Sequence, residues 1–296
     1  MDSWVATVGL PIALAVVMLG LGLGLTVADF RRVLSYPRLV LLAMGCQVVL
    51  LPAVCFGLVT AADLEPELAV GMMLLAASPG GVAANLYSHL FGGHVALNVT
   101  LTAVNSVLTA VTLPIVVNLS TAHFMGDAGS VGLQFDKVLQ VFAIVLVPVA
   151  VGMLVRARAA AVADRLTRPF KIASVVVLVV VIAGAILKER ANIADYVVAV
   201  GLVALVFNVV SLAVGYGVPR LTGADRPDAT AVGMEIGLHN SALAIAIAVS
   251  PALLDNVRFA VPAAVYGILM FFTAAAFGAV VSRRTRRRGA PAQPLS

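Results

Sequence analysis

The sequence predicts an all-α polytopic membrane protein with nine transmembrane helices. Two observations support this prediction: 61% of the 296 residues are hydrophobic, and only 11% are charged. Soluble domains contain about 45–50% apolar and about 25% charged residues. Because a spanning helix needs about 20 apolar residues, the roughly 180 hydrophobic residues suffice for about nine spans. Almost nothing then remains for a soluble domain.

This composition excludes several classes of function. A receptor with an ectodomain, an enzyme with a cytoplasmic catalytic domain and a nucleic-acid reader all need soluble sequence that the chain lacks. The net charge of +5 therefore reflects membrane topology, and we expect no nucleic-acid partner. We expect one membrane transport domain over residues 1–296, with a basic cytoplasmic tail over 282–296 and no obligatory protein partner. The start of the chain lacks a basic region before its first apolar run, so no cleavable signal peptide is expected.

Nine apolar segments can be placed along the chain, and the charges between them indicate orientation. The segments cover about 4–28, 38–60, 66–91, 94–119, 135–155, 169–187, 195–218, 228–249 and 257–281. Fifteen of the 19 Lys and Arg residues fall on the side of the C-terminus, and the other four are Lys137, Lys188, Arg190 and Arg258. The positive-inside rule predicts a cytoplasmic C-terminus. Since nine is odd, we expect the N-terminus outside the cell inner (plasma) membrane.

Two segments contain residues that interrupt a helix. The third contains Ser78-Pro79-Gly80-Gly81, and the eighth contains Glu235, Gly237, His239, Asn240 and Ser241. Proline removes a backbone donor and glycine loosens a helix. The two segments lie five apart and so run in opposite directions, which is typical of inverted five-helix repeats with broken helices in transporters. Nine spans then imply that the first repeat lacks its opening helix. Two packing kinks are the alternative.

Glu235 is the acidic residue that cannot be placed in a loop or at a span end. A carboxylate at bilayer depth is costly unless it is paired or wet, and no Lys or Arg lies at comparable depth in the sequence. Its partner should be a proton or a bound cation, and the alternative is a permanently protonated, hydrogen-bonded side chain.

Several neutral polar side chains lie in the spans and could join Glu235. Asn98 and Thr102 share one helix face, which Asn105 and Ser106 extend. Asn85 follows the glycine break, and Gln47 lies in the second span. Each residue alone could instead form a hydrogen bond between two helices. Together they form a hard, oxygen-rich set that suits Na⁺ and suits soft metals poorly.

The two breaks supply backbone groups. The carbonyls of Ile236, Gly237 and Leu238 can ligate a cation, since a helix end leaves carbonyls unpaired. The helix starts near Gly81 and Asn240 present partial positive charge near the midplane. A cation beside two such helix starts favours an anionic substrate. The residues therefore predict a cation-coupled carrier of organic anions.

Three motifs resemble the bile acid:sodium symporter family: P-G-G-V-A-A-N at 79–85, N-V-T-L-T at 98–102 and E-I-G-L-H-N-S-A-L-A at 235–244. The M-L-G-L-G-L-G-L-T run at 18–26 and the Gln47 segment also fit. The resemblance implies a panel domain (about 4–60 and 135–187) and a core domain (about 66–119 and 195–281) whose two broken helices cross.

The resemblance also implies a set of site residues. One sodium site would use Asn85, Asn98, Thr102 and Glu235. A second would use Gln47, Glu235, His239 and the carbonyls of Ile236 and Leu238. Substrate would lie near Gly81, Val82 and Asn240. One or two Na⁺ ions are therefore expected.

The sequence departs from the family pattern at four positions. Ala84 and Asn98 stand where serines are usual, Val82 replaces a threonine, and His239 stands where the family has glutamine. Because a neutral imidazole is a poor Na⁺ ligand, three interpretations of His239 stay open. It is a hydrogen-bonded structural residue, a ligand of sodium or substrate, or a proton-coupling group.

The predicted function is secondary active symport, in which Na⁺ entry drives uptake of a small organic anion by alternating access. The anion would be bile-acid-like or a small carboxylic acid such as pantoate. The alternative is H⁺-coupled or mixed Na⁺/H⁺ transport that uses Glu235 and His239. An intramembrane enzyme is not expected, since these two side chains are too few for a zinc site and His89, His94 and His123 lie near span ends. No catalytic residue and no metal other than Na⁺ is predicted, and a passive channel fits the broken helices less well.

Overall fold

Helices make up the regular structure of the described residues. A computed structural model of the protein describes residues 10–126, 135–170, 172, 173, 176, 193–250 and 253–288. Within these ranges no strand occurs, and one isolated antiparallel bridge pairs Gly80 with His239. The helices are α1 (Leu10–Leu23), α2 (Val27–Arg31), α3 (Pro37–Gly45), α4 (Leu51–Ala61), α5 (Pro66–Ala76), α6 (Val82–Leu90), α7 (Val95–Met125), α8 (Phe135–Arg158), α9 (Ile193–Leu221), α10 (Arg226–Gly237), α11 (Ser241–Val249) and α12 (Val261–Arg288). Residues 160–170 are also helical.

Several helices are suited to a bilayer. Among the described residues, four helical stretches combine the length and the apolar character needed to cross a membrane: Pro37–Ala61, Val95–Met125, Val197–Leu221 and Arg258–Ser282. Helix α5 is apolar but shorter. Large apolar side chains such as Val198 and Phe272 lie mostly exposed on these helices. The chain is an all-α, multi-pass membrane protein.

The ends of the predicted segments differ from the observed helices in several places, of which two are instructive. Helix α7 continues to Met125, beyond the predicted end at 119, and the Ser120 and Thr121 hydroxyls bond carbonyls of their own helix. The first segment ends early: α1 stops at Leu23 and α2 begins after Thr26, whose side chain forms a capping box with Asp29. Residues 4–9 and most of the predicted span 169–187 lie outside the described residues.

A π-helical turn at Cys46–Leu50 joins α3 to α4. Proline has no N–H and its ring crowds the preceding turn, so Pro52 at the start of α4 accounts for the widened turn. Such π-turns are frequent at functional sites. This turn contains Gln47, which is buried. Cys46 and Cys55, on either side of Pro52, are both buried and free, and no disulfide links them.

Glycines bring the helix backbones close together in two places. Gly22 of α1 and Gly152 of α8 face the backbone of the other helix, with no room for a side chain. In the same way Gly215 of α9 packs against Gly233 of α10. Small residues of this kind let helices in a membrane approach closely. Helices α6, α7, α9 and α12 all pack against α10. Every residue from Ala229 to Gly237 is buried, which places Glu235 in the centre of the protein.

Candidate functional site

The chain is interrupted at two places that face each other. Helix α5 ends at Ala76 and α6 begins at Val82, while α10 ends at Gly237 and α11 begins at Ser241. The Gly81 N–H donates to Leu238 O over 2.8 Å, and the Asn240 N–H donates to Pro79 O over 2.7 Å. These two bonds flank the antiparallel pairing of Gly80 with His239. At bilayer depth an unpaired backbone group is costly, and the two interruptions satisfy each other.

The carboxylate of Glu235 lies directly beneath this pairing. The side chain is fully buried. Its Oε2 accepts a hydrogen bond from the Thr102 hydroxyl over 2.6 Å, and its Oε1 has no hydrogen-bond partner of normal geometry among the described residues. Gly80 packs so closely against the carboxylate that a Cβ at position 80 would overlap it. No Lys or Arg forms an ion pair with Glu235 among the residues that the structure describes.

One face of α7 contacts α10 in register. The Asn98 Nδ2 donates to Ala231 O over 2.7 Å, one turn before the bond from Thr102 to Glu235. The His94 N–H donates to Pro227 O over 2.9 Å, a further turn back. The two helices therefore run parallel here. This register brings Asn98, Thr102 and Glu235 together, and it leaves the buried Oδ1 of Asn98 unpaired.

Asn85 lies on α6, which packs against both α7 and α10. Its Oδ1 is buried and has no hydrogen-bond partner. Within the described ranges, no hydrogen bond joins Asn85 to Asn98, Thr102 or Glu235. The four residues expected for the first sodium site thus supply a carboxylate oxygen and two amide oxygens without partners, beside one hydroxyl.

Gln47 and His239 belong to a separate network. The Gln47 Nε2 lies 3.0 Å from Ser78 O, 3.2 Å from Ala76 O and 3.4 Å from His239 Nε2. The His239 Nδ1 lies 2.9 Å from the Tyr266 hydroxyl, which donates to Gly237 O over 2.9 Å. Since a hydroxyl has one proton, Tyr266 accepts from Nδ1–H, and Nε2 is left as an acceptor.

This network bears on the three interpretations of His239. Both ring nitrogens have protein neighbours, and in the described part of the chain no hydrogen bond joins the ring to Glu235. The geometry supports a hydrogen-bonded structural residue over a partner of the carboxylate. The Gln47 Oε1, by contrast, is buried without a partner.

The carbonyls at the end of α10 differ in how far they are used. Gly237 O accepts from both Asn208 Nδ2, over 2.7 Å, and Tyr266. Leu238 O accepts from the Gly81 N–H. Because the Asn240 N–H turns away to Pro79 O, Ile236 O lacks the donor that would follow it in a continuous helix. Ile236 O is therefore the most available of the three.

The helix starts expected to hold substrate lie side by side, next to the pairing of Gly80 with His239. Gly81 is the extended N-cap residue of α6, and the Asn240 Oδ1 caps α11 by accepting from the Leu243 N–H over 3.0 Å. Both residues are half-buried. The Val82 side chain lies outside the description, although its backbone begins α6. Two helix N-termini at one place favour an anion.

A model of the Sodium Bile acid symporter family matches residues 11–196. The chain belongs to this family. It is therefore a membrane transporter and not an enzyme.

Relatives from three kingdoms align over most of this family member. The "Uncharacterized sodium-dependent transporter YocS" of Bacillus subtilis (strain 168) is 26% identical over 97% of this chain and 87% of its own length. The "Probable sodium/metabolite cotransporter BASS2, chloroplastic" of Oryza sativa subsp. japonica is 27% identical over 99% of this chain and 67% of its own. The "Ileal sodium/bile acid cotransporter" of Homo sapiens is 26% identical over 93% and 79%.

The sequence analysis missed three residues of the network. Asn208 of α9 is fully buried, and its Oδ1 accepts a hydrogen bond from Thr273 of α12. Tyr266, also of α12, bonds both His239 and Gly237. A lone amide in an apolar segment is a signal that could have identified Asn208. Nothing in the sequence around Tyr266 distinguishes it from a core aromatic residue.

Proposed function

We propose that this symporter-family member couples Na⁺ entry to uptake of a small organic anion by alternating access. The observation that carries the proposal is an excess of buried acceptors around one carboxylate. Glu235 Oε1, Asn98 Oδ1 and Asn85 Oδ1 are all buried without a donor. Such atoms are rare in folded proteins. An anion could not satisfy them, because it has no proton to donate to these acceptor oxygens. One monovalent cation would satisfy these oxygens and balance the single charge of Glu235.

The first sodium site would use Asn85, Asn98, Thr102 and Glu235. The bond from Asn98 Nδ2 to Ala231 O supports this assignment, because it holds the amide nitrogen in place and leaves the amide oxygen available to a cation. In that site Thr102 would offer its oxygen lone pairs while its proton stays on a protein acceptor.

A second sodium site would use Gln47, Glu235, His239 and the carbonyls of Ile236 and Leu238. Gln47 Oε1 favours this assignment because it has no donor among the described residues, and Ile236 O favours it because the Asn240 N–H bonds Pro79 O instead. The bonds of His239 to Gln47 and Tyr266 favour it less. The same bonds favour sodium coupling over proton coupling. Proton coupling through both side chains would need contact between the imidazole and the Glu235 carboxylate, whereas the ring nitrogens face Gln47 and Tyr266.

The substrate anion would bind where α6 and α11 begin, near Gly81, Val82 and Asn240. Bile acids and metabolites, which appear in the names of the relatives, indicate the class of organic anion. Pantoate-like acids are the small end of that class.

The proposed architecture is the family's inverted repeat of nine spans, with two broken helices that cross between a panel and a core domain. The antiparallel pairing of Gly80 with His239 supports opposite directions for the two interrupted segments. The tight pairing of α1 with α8, and of α9 with α10, supports separate panel and core units. The N-terminus would lie outside the plasma membrane and the basic C-terminal end in the cytoplasm.

The test is the thermal stability of the purified protein in Na⁺, with K⁺ at equal ionic strength as control. A ligand that binds only the folded state stabilises it by about 2.7 kcal/mol at one hundred times its Kd. We expect a Na⁺-specific rise in Tm that Glu235→Gln abolishes and that Glu65→Gln, at an exposed carboxylate, retains. A wild-type protein equally stable in both salts would refute sodium coupling.

Transport is tested in proteoliposomes with radiolabelled taurocholate and pantoate. We expect uptake of one of them against its gradient when Na⁺ is higher outside, and none with Glu235→Gln. Uptake that an H⁺ gradient drives and a Na⁺ gradient does not would support the proton-coupled alternative.

A further inference from the structure

Asn105 is a buried amide whose two polar atoms both lack a hydrogen-bond partner. It lies on α7 one turn after Thr102, and it is 1% exposed. Within the part of the chain that the structure describes, neither Nδ2 nor Oδ1 makes a hydrogen bond, so exchanging the two atoms by rotating the amide changes nothing. Its helix neighbours differ, since the Ser106 hydroxyl donates to Thr102 O over 2.7 Å. A buried amide without any partner requires an explanation such as a bound ion or water.

Asn105 lines a narrow crevice on the side of α7 that faces Gln47. Gln47 and Pro52 from the π-turn region, Ala77 from the end of α5 and Thr112 from α7 line the same crevice. The Gln47 Oε1 in this lining is also buried without a partner. The Asn105 amide also approaches the Glu235 carboxylate, in a contact that is too long or too poorly aligned to count as a hydrogen bond by geometry. We call Gln47, Asn105 and the Oε1 of Glu235 the crevice site.

The chemistry of the crevice site selects a cation. Its atoms without partners are three acceptor oxygens, from Gln47, Asn105 and Glu235, and one donor, the Asn105 Nδ2. The Gln47 Nε2 is already engaged with Ala76 O and Ser78 O. An anion would meet the Glu235 charge and a single donor. One carboxylate oxygen with two amide oxygens is a hard ligand set suited to a monovalent cation.

We propose that the crevice site binds Na⁺, and that Asn105 is a cation ligand there. This inference rests on the proposed sodium coupling. It differs from both proposed sodium sites in using Asn105 and in needing neither His239 nor the carbonyls at the end of α10. The π-turn contributes by directing Gln47 across to the same crevice.

The test combines thermal stability with equilibrium binding of ²²Na⁺ to the purified full chain. Asn105→Leu keeps the size of the side chain and removes both polar atoms. Thr100→Val is the matched control on the same helix, since Thr100 is buried and its hydroxyl bonds Ala96 O of its own turn. Asn105→Thr retains one oxygen at position 105.

We expect Asn105→Leu to be at least as stable as the wild type in K⁺, because a buried amide without partners has been removed, and to bind Na⁺ at least tenfold more weakly. Asn105→Thr should lie between the two, and Thr100→Val should bind Na⁺ as the wild type does. If Asn105 only stabilised the fold, Asn105→Leu would lower stability in both salts and leave the Kd for Na⁺ unchanged. If Asn105→Leu does not fold, the sodium constant of Asn105→Thr decides in the same way.

The outcomes separate this inference from the proposed function. Wild-type sodium binding in Asn105→Leu, together with its loss in Glu235→Gln, would overturn only the role of Asn105. Absence of sodium binding in the wild type would overturn both.

Discussion

Replacing Gly80 by alanine tests whether the position of the Glu235 carboxylate is set by close packing. Gly80 lies outside the left-handed region of φ, so its backbone admits alanine. The obstacle is space, because the new Cβ would overlap the Glu235 carboxylate. The carboxylate or the chain around residues 77–81 must move. At Gly81 the nearest atoms to a new Cβ are at 3.7 Å, an ordinary contact. Gly81→Ala is therefore the matched control.

The size of the effect follows from the contacts that are lost. Moving the carboxylate away from Thr102 loses a hydrogen bond to a charged group, about 1.5–3 kcal/mol. Overfilling a packed site adds about 1–3 kcal/mol. The sum is about 2.5–6 kcal/mol, and at about 2 °C for each kcal/mol it corresponds to a fall in Tm of roughly 5–12 °C. The carboxylate is the only charged ligand of the proposed sodium sites. The apparent Kd for Na⁺ should therefore also rise by about tenfold or more, equivalent to about 1.4 kcal/mol.

The assay is the Tm of both variants in K⁺ and across a Na⁺ titration. We expect Gly80→Ala to lose stability in K⁺ and to respond weakly to Na⁺, while Gly81→Ala keeps a near wild-type Tm and sodium response. If the two variants behave alike in both salts, the close packing of Gly80 against Glu235 does not position the carboxylate, and the reasoning fails.

Two further predictions concern the network and the topology. Tyr266→Phe removes the hydroxyl that bonds Gly237 O and should lower stability by about 1–3 kcal/mol, whereas Tyr87→Phe, at an exposed hydroxyl, should cost less; equal Tm values would contradict this. Single cysteines at the exposed positions Asp63 and Gly223 should react with an impermeant maleimide from outside and from inside the cell respectively, and the opposite pattern would reverse the proposed orientation.

The polar residues that sequence analysis could find are those that look out of place. Glu235 in an apolar segment, and Gln47 in another, stand out by chemical type alone. The helix ends at Ala76 and Gly237 fall beside glycines and a proline that are visible in the sequence. The family resemblance added functional roles to these positions.

What the sequence could not supply was contact between distant segments. Tyr266 is an ordinary aromatic residue until the fold sets its hydroxyl 2.9 Å from His239. Gly80 looked like one of two flexible glycines, and only packing shows that it accommodates a carboxylate. The π-turn likewise depends on how the chain accommodates the proline ring at Pro52. The spacing of apolar residues in the sequence does not reveal it.

The pairing of Gly80 with His239 has a consequence for how this region can vary among relatives. Both flanking bonds join backbone atoms, so they place few demands on which side chains occupy the two interruptions. They place a strict demand on length, since a shift of one residue would turn every side chain in a paired strand to the opposite face. Substitutions such as Val82 and Ala84 are compatible with the pairing, whereas a one-residue insertion or deletion within 77–81 or 238–240 would misalign the two backbone bonds that flank it. Gaps in an alignment of the family should therefore avoid these two short stretches, even where their residues differ.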